Sequence, residues 1–252
     1  MGGLDTANNL SAHFQRKDGR APDELRKVSL TRNVMKNALG SCLCEFGDTR
    51  VLCAATIDES LPAWRKNAHA GWVTAEYAML PASTGQRTKR EYNGRKGRSM
   101  EIERLIGRSL RAVCNLRALG ECCVTVDCDV LQADGGTRTA SITGAWVALH
   151  DALCAWVDAG KIRRLPLTGQ VAAVSFGIVD GQALLDLNYP EDSHAEVDMN
   201  LVATDDGNIV ELQGTGERIC FSRQQLDGLL DLGQAGIEQL IALQNDVTHF
   251  RS

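Results

Sequence analysis

The chain has 252 residues, of which 44% are hydrophobic, a length and composition that suit a globular protein with a sizeable core. Its net charge of −5 at pH 7 excludes a surface that is basic throughout. The apolar stretches are no longer than strands, and the N-terminus lacks a basic-then-apolar signal pattern. We therefore expect a cytoplasmic protein with no membrane partner.

Neither the cysteines nor the histidines are spaced like the ligands of a metal centre. The nine cysteines lie mostly within apolar runs and form no CxxC pair, and the five histidines are scattered along the chain. An odd number of cysteines in apolar surroundings favours reduced thiols over disulfides. The sequence thus predicts no transition-metal site.

Apolar periodicity predicts three β-hairpins, one further strand and three helices. The first half is predicted to contain a hairpin of 40–46 with 50–57, a helix over 99–119 with Ser99 as its N-cap, and a strand over 122–131. A helix over about 139–157 follows. The second half is predicted to contain hairpins of 170–179 with 182–189 and of 195–204 with 208–215, and a helix over about 222–243. This order predicts an α+β or mixed α/β fold with two loosely similar halves. No linker divides the chain, so we expect a single domain over 1–252.

Positive charge is concentrated between Arg87 and Arg117. This segment carries ten Lys or Arg and three Glu, a net charge of +7, which leaves −12 on the remainder of the chain. A basic segment on an acidic protein is typical of a local binding site for a polyanion. A solvated helix face is the simpler alternative.

The stretch QADGGTRTASITGA (132–145) places two glycines between a predicted strand and a predicted helix. Gly135 and Gly136 permit positive φ angles and close approach of a ligand, and the first N–H groups of a helix attract an anion. Arg138 would add a full charge, and Gly97-Arg98 repeats the pattern before the first predicted helix. An ordinary tight turn with a surface arginine remains open at this stage.

Acidic residues cluster before and within the predicted strand 195–204. Asp198 lies on its polar face, while Asp192 precedes it by six residues, roughly 20 Å along a straight strand. The two carboxylates could share one Mg²⁺ only if the chain bends between them, and Pro190 and Ser193 make a bend reasonable. A solvated strand edge is the alternative interpretation.

Six motifs in order resemble the ribonuclease PH family of phosphate-dependent 3′ exoribonucleases. They are RKDGR (16–20), CEFGDTRVLCAATI (44–57), GWVTAEYAMLPAST (71–84), GRSMEIERLIGRSLRA (97–112), DCDVLQADGGTRTASITGA (127–145) and EDSHAEVDMN (191–200). The resemblance spans nearly the whole chain. It implies duplicated β-α-β units with mixed sheets packed against helices, in a homo-oligomer that forms a six-membered ring.

The resemblance also implies an activity and its co-substrate. Inorganic phosphate would attack the last phosphodiester of RNA, especially of transfer RNA precursors, and release a nucleoside diphosphate. The reaction is reversible and can add nucleotides to RNA 3′ ends. Mg²⁺ is the implied cofactor.

Site residues follow from the resemblance position by position. Those implied to bind the attacking phosphate are Arg98, Gly136, Thr137 and Arg138. Asp192 and Asp198 are implied to be the catalytic acids and the Mg²⁺ ligands, with Asp192 expected to be the proton donor. Arg87 and Arg90 match arginines that grip the RNA strand. The chain departs from the family by carrying Ala82 where relatives commonly have another arginine, which puts RNA affinity in question.

Two functions other than phosphorolysis would also use basic residues or paired acids. A hydrolytic metal-dependent nuclease would also use paired acids and basic residues, but it would not need free phosphate. A non-catalytic RNA-binding ring subunit would be expected to have lost the phosphate-binding arginines or the acids, and this chain has both.

Overall fold

The computed structural model describes residues 16–90 and 97–250. The first half forms a five-stranded sheet in the order β1-β2-β3-β5-β4. Its strands are β1 (Val28–Arg32), β2 (Gly40–Phe46), β3 (Thr49–Asp58), β4 (Trp72–Met79) and β5 (Cys123–Gln132). The neighbours β4 and β5 run parallel and the other pairs antiparallel, so this sheet is mixed, as predicted.

The second half forms a four-stranded antiparallel sheet in the order β7-β6-β8-β9. Its strands are β6 (Val171–Val179), β7 (Gln182–Leu185), β8 (Val197–Thr204) and β9 (Ile209–Gly216). Strand β6 is buried along its whole length, whereas β9 lies at an edge and is largely exposed. The cavity described below is lined on the side of this sheet by Asp198 and Asn200 of β8.

Within 16–90 and 97–250, five helices pack around and between the sheets: α1 (Gly97–Ala112), α2 (Leu116–Leu119), α3 (Thr137–Asp158), α4 (Tyr189–Asp192) and α5 (Arg223–Thr248). Helix α3 packs on β2 and β3 of one sheet and on β6 of the other, α1 packs on β4, and α5 packs on β6 and β8. Because 16 of the 22 residues of α3 are buried, this helix forms the centre of the core.

Among the described residues, α3 is the one helix whose length and apolar composition would allow it to cross a membrane. Burial explains that composition, because a helix covered by two sheets needs apolar residues on nearly every side. Trp146 and Leu149 are fully buried on it. In this structure α3 is therefore a core helix.

All three predicted hairpins are confirmed. At the β6–β7 turn, Asp180 and Gly181 have φ angles of 49° and 75°, the left-handed pair that a two-residue hairpin turn favours. The predicted helix over 99–119 is wrong in two respects. It begins at Gly97, so Ser99 is inside it, and it ends at Ala112, after which Asn115 caps the separate helix α2.

Three elements were not predicted: β1, β4 and α4. Strand β4 alternates buried Val73, Ala75 and Tyr77 with more exposed positions, so its signal was present in the sequence. Helix α4 is one turn long, too short for periodicity to reveal. Its sequence does carry a capping box, in which Asn188 accepts from the backbone N–H of Glu191 and Glu191 accepts from that of Asn188.

Candidate active site

A cavity of about 660 Å³ is lined by residues from both halves of the chain. The first half contributes the loop over 84–88, the start of α1 and the turn before α3, while the second half contributes α4 and β8. Six predicted site residues line it together: Arg98, Gly136, Thr137, Arg138, Asp192 and Asp198. The structure thus brings three separate stretches of sequence to one place.

The glycine turn before α3 depends on both of its glycines. Gly135 and Gly136 have φ angles of 76° and 63°, in the left-handed region that other residues rarely adopt. A Cβ on Gly135 would lie 2.6 Å from the carbonyl oxygen of Leu187. Thr49 fixes the turn, because its hydroxyl donates to the Gly135 carbonyl at 2.6 Å and accepts from the Asp134 N–H at 2.9 Å.

Helix α3 begins directly after this turn, with Gly136 at the N-cap position and Thr137 as its first residue. The unpaired N–H groups of a first helical turn carry partial positive charge, and here they adjoin the cavity. Thr137 Oγ1 lies 2.9 Å from the hydroxyl of Tyr77 on β4, which ties the helix start to the first sheet. The arrangement suits an anion.

Arg138 lies between the cavity and the edge strand β9. Its side chain is 18% exposed, and its Nη1 donates to Gln213 Oε1 at 2.6 Å and to Glu101 Oε1 at 3.4 Å. Arg98, at the start of α1, lines the same cavity, and its charge partly offsets the rise that burial causes in the pKa of Asp192 and of Asp198. The guanidinium groups of Arg98 and Arg138 therefore both contribute positive charge to this cavity.

Buried ion pairs hold the two walls of the cavity. Arg26 donates to both carboxylate oxygens of Asp186 at 3.0 and 2.7 Å, and to the carbonyl oxygen of Asp134 in the glycine turn at 2.5 Å. Arg16 binds Glu191 of α4 through two hydrogen bonds of 2.8 and 2.7 Å. The RKDGR motif thus supports the helix that carries Asp192.

The chain bends between the two acids, as the sequence required. Asp192 ends α4, the chain turns at Ser193, and Asp198 is the second residue of β8. Both carboxylates line the cavity. Burial and the charge of Asp192 raise the pKa of Asp198 to about 6, and burial also raises the pKa of Asp192. A nearby cation would stabilise the charged forms of both carboxylates.

This pair fits Mg²⁺ in chemistry and in number. Mg²⁺ prefers hard oxygen ligands and is usually bound through one or two carboxylates together with substrate phosphates and waters. Within 16–90 and 97–250, no group of three or more His, Cys, Asp or Glu could hold a metal ion. Two acids would therefore hold Mg²⁺ only together with further oxygen ligands, such as those of a phosphate group and of water.

The predicted RNA-binding arginines lie outside the cavity lining. The loop that carries Arg87 is closed by a hydrogen bond from the Thr88 N–H to the Pro81 carbonyl, and its residues over 84–86 line the cavity. Arg87, Lys89 and Arg90 are exposed beside it. Part of the basic segment, the residues Glu91, Arg95 and Lys96, lies outside the described residues.

Several cavity residues were missed from the sequence. Asn200, Ser175 and Tyr189 line the cavity, and nothing in the local sequence marks Ser175 or Tyr189. Asn200 follows Asp198 by two positions, so strand alternation could have placed it on the same face. Tyr189 is 63% exposed at the rim, and its backbone N–H donates to Asp134 at 3.2 Å.

The resemblance implies that phosphate lies against the glycine turn, so replacing Gly136 with alanine should weaken phosphate binding more than folding. The new Cβ would lie 3.1 Å from Arg26 Nη2 and from Thr139 Oγ1, at a left-handed φ that costs a non-glycine residue roughly 1–2 kcal/mol. We expect a folded protein of lower melting temperature with a raised KM for phosphate. Gly228→Ala, in an open position on α5, is the control. An unchanged KM would contradict a close approach of phosphate to this turn.

Known proteins share both halves of this chain. Residues 24–154 match the model of the 3′ exoribonuclease family, domain 1, and residues 169–236 match that of domain 2. A ribonuclease PH from Nocardia farcinica is 57% identical over 235 residues, which cover 92% of this chain and 91% of that protein. Whether the two matched regions behave as one domain, as the sequence predicts, stays a prediction.

Solved structures agree with the fold. The Archaeoglobus fulgidus exosome with RNA bound to the active site superposes with a TM-score of 0.77 at 25% identity, over 90% of this chain and 91% of that one. An archaeal exosome core gives a TM-score of 0.71 at 26% identity, over 92% and 90%. Together with the two family models and the placement of the six motifs, these likenesses show that the chain belongs to the 3′ exoribonuclease family of the ribonuclease PH type.

Proposed function

We propose that the chain is a phosphorolytic 3′–5′ exoribonuclease that trims the 3′ ends of transfer RNA precursors. The observation that carries this proposal is the single cavity in which a glycine turn, a helix start and two arginines lie against two carboxylates. Its family membership and its 57% identity to a ribonuclease PH support the same activity. A site built only for hydrolysis would need the acids but not the anion-binding turn.

Inorganic phosphate would occupy the end of the cavity formed by α3. Arg98, Arg138 and the backbone N–H groups of Gly136 and Thr137 would hold its oxygens, since guanidinium forks and helix starts both suit phosphate. This concentration of positive charge offsets the repulsion between a phosphate dianion and the phosphodiester anion. Binding would also hold the nucleophile in a fixed position for attack.

The reaction exchanges one phosphorus–oxygen bond for another. An oxygen of the bound phosphate forms a bond to the last phosphorus of RNA, and the bond from that phosphorus to the 3′ oxygen of the preceding nucleotide breaks. The 3′ oxygen then takes up a proton, and a nucleoside diphosphate leaves. Bonds of similar kind form and break, so the reaction can run in reverse and add nucleotides.

Asp198 is the better candidate for the proton donor, although the sequence favoured Asp192. Its pKa of about 6 leaves more of it protonated near neutral pH than an ordinary carboxyl, because burial and Asp192 disfavour its charged form. Arg98 and Arg138 lower the pKa of both acids and so limit that effect. We propose that Asp198 donates to the leaving oxygen.

We further propose that Asp192 and the ionised form of Asp198 hold Mg²⁺ together with the substrate phosphates. A protonated Asp198 donates a hydrogen bond rather than a lone pair, so Asp192 would be the ligand that holds the metal while Asp198 transfers its proton. When bound, the metal would supply positive charge to the phosphoryl oxygens and to the leaving 3′ oxygen. The raised pKa values of both acids support this proposal, because a cation would stabilise their charged forms. Addition of Mg²⁺ should therefore raise the melting temperature of the protein.

The RNA strand would reach the cavity along the loop over 80–90. Arg87 and Arg90 are exposed there, suited to phosphates of upstream nucleotides rather than to the reacting phosphate. Lys89, also exposed, supports the same path and adds positive charge near the position of Ala82. We propose that these cations set RNA affinity and leave the chemical step to the cavity.

We propose a ring of six copies in the cytoplasm. The likeness to chains of archaeal exosomes, which are assemblies, supports an oligomer, and the family resemblance implies a ring of six. All nine cysteines lie within the described residues and are free thiols, seven of them buried, which suits a reducing compartment. The mass of the assembly in solution tests the number of copies.

The decisive assay uses a 3′-extended transfer RNA with and without inorganic phosphate. We expect shortening only when phosphate is present, with nucleoside diphosphates as products and loss of activity when Mg²⁺ is chelated. Nucleoside monophosphates formed without phosphate would identify a hydrolytic nuclease instead. RNA binding without any shortening would identify a non-catalytic ring subunit.

A further inference from the structure

Gln213 on the edge strand β9 connects the predicted phosphate-binding arginine to two carboxylates. Its Oε1 accepts from Arg138 Nη1 at 2.6 Å, and its Nε2 donates to Glu101 at 3.3 Å and to Glu211 at 3.0 Å. These partners come from α3, α1 and β9, so this glutamine joins both halves of the chain beside the cavity.

The partners of Gln213 fix the orientation of its amide. A guanidinium can only donate and an ionised carboxylate can only accept, so the oxygen must face Arg138 and the nitrogen must face the acids. Glu211 is itself held by Arg108, whose Nε donates to it at 2.6 Å. A neutral amide is therefore the side-chain group that satisfies donor and acceptors at this position together.

Glu101 is an alternative partner for Arg138, in competition with a phosphate bound in the cavity. Its Oε1 already lies 3.4 Å from Arg138 Nη1, and the same oxygen accepts from Gln213 Nε2. Without the glutamine, Glu101 would lose a donor and Arg138 would lose its closest acceptor among the described residues. Both changes favour a direct ion pair, which would rotate the guanidinium fork away from bound phosphate.

We propose that Gln213 is a positioning residue, which orients the Arg138 guanidinium for the attacking phosphate and keeps Glu101 from pairing fully with it. This inference rests on the proposed function, in which Arg138 binds phosphate. Gln213 does not line the cavity, so it acts through Arg138 and does not touch the reacting atoms.

The test measures phosphorolysis as a function of phosphate concentration at saturating RNA, and as a function of RNA at saturating phosphate. Gln213→Ala should raise the KM for phosphate roughly tenfold, as expected for loss of a hydrogen bond to a charged group, with the KM for RNA changed less than about twofold. Gln213→Met, which keeps the length of the side chain, should behave in the same way. Gln239→Met, an exposed glutamine on α5, is the matched control.

A second substitution separates positioning from a merely structural role. Glu101→Gln removes the competing charge, so the double variant Gln213→Ala with Glu101→Gln should recover most of the lost phosphate affinity. An unchanged phosphate KM in both Gln213 variants would overturn the proposal, as would failure of Glu101→Gln to restore it. If the unsubstituted protein works without phosphate, the proposed function itself fails. If Arg138→Ala loses phosphate use and Gln213→Ala does not, only the positioning role fails.

Discussion

Arg138→Ala should reduce phosphorolysis roughly a hundredfold or more at limiting phosphate, by comparison with the loss of a charge-stabilising donor at other active sites. Arg138 is 18% exposed beside the cavity and offers a fork that matches two phosphate oxygens. We expect a higher KM for phosphate, because Arg138 binds it, and a lower kcat, because the Arg138 charge also offsets the repulsion between phosphate and the phosphodiester as they approach. Steady-state kinetics at varied phosphate measures both.

Two further variants make this result specific. Arg138→Lys keeps the charge but not the planar fork, so it should recover only part of the activity. Arg223→Ala removes an arginine that is exposed at the start of α5 and paired with Asp227, and it should leave phosphate dependence unchanged. Normal phosphate dependence in Arg138→Ala would remove this residue from the phosphate site.

The parts of the site that the sequence predicts are those encoded in short stretches. Two glycines followed by a helix start indicate an anion site because backbone conformation and helix polarity are local properties. Gly136 and Arg138 lie where that reasoning places them. The hairpins were predictable for the same reason, since alternation and a two-residue turn are read within about twenty residues.

Contacts between distant parts of the chain could not be predicted. Arg26 and Asp186 are 160 positions apart, and Arg138 and Gln213 are 75 apart, yet each pair is joined by a hydrogen bond of 2.7 or 2.6 Å. Apolar periodicity says which face of an element is buried, but it does not say which polar residue lies opposite. The bend that joins Asp192 to Asp198 was recognised only as a requirement.

The error in the first helix has a similar cause. Apolar spacing continues past Ala112, so periodicity alone extends the helix to Leu119. Tertiary contacts interrupt it, because Cys114 forms a β-bridge with Leu167 and the Asn115 N–H donates to the Pro166 carbonyl. Asn115 then caps a new turn of helix. The residues that Cys114 and Asn115 contact lie some fifty positions further along the chain, beyond the reach of local periodicity.

Asp198→Asn should abolish most turnover and at the same time stabilise the folded protein. Burial and the charge of Asp192 raise the pKa of Asp198 to about 6, against an ordinary value of about 4. The folded state therefore binds this proton more tightly than the unfolded state, so ionised Asp198 lowers stability above pH 6. Removing its charge should raise the free energy of unfolding by roughly 1–3 kcal/mol at pH 8.

The gain in the free energy of unfolding of Asp198→Asn should depend on pH. As pH falls from 8 through 6 towards 4, wild-type Asp198 becomes protonated in the folded state, so the advantage of Asp198→Asn should shrink towards zero. Denaturant unfolding in metal-free buffer at several pH values measures it, with the exposed Asp231→Asn as the control. Added Mg²⁺ should stabilise the wild type more than the variant, because a cation relieves the repulsion that the substitution has already removed. If Asp198→Asn is less stable than the wild type at pH 8, the ionised Asp198 carboxylate does not lower the free energy of unfolding, and the prediction is wrong.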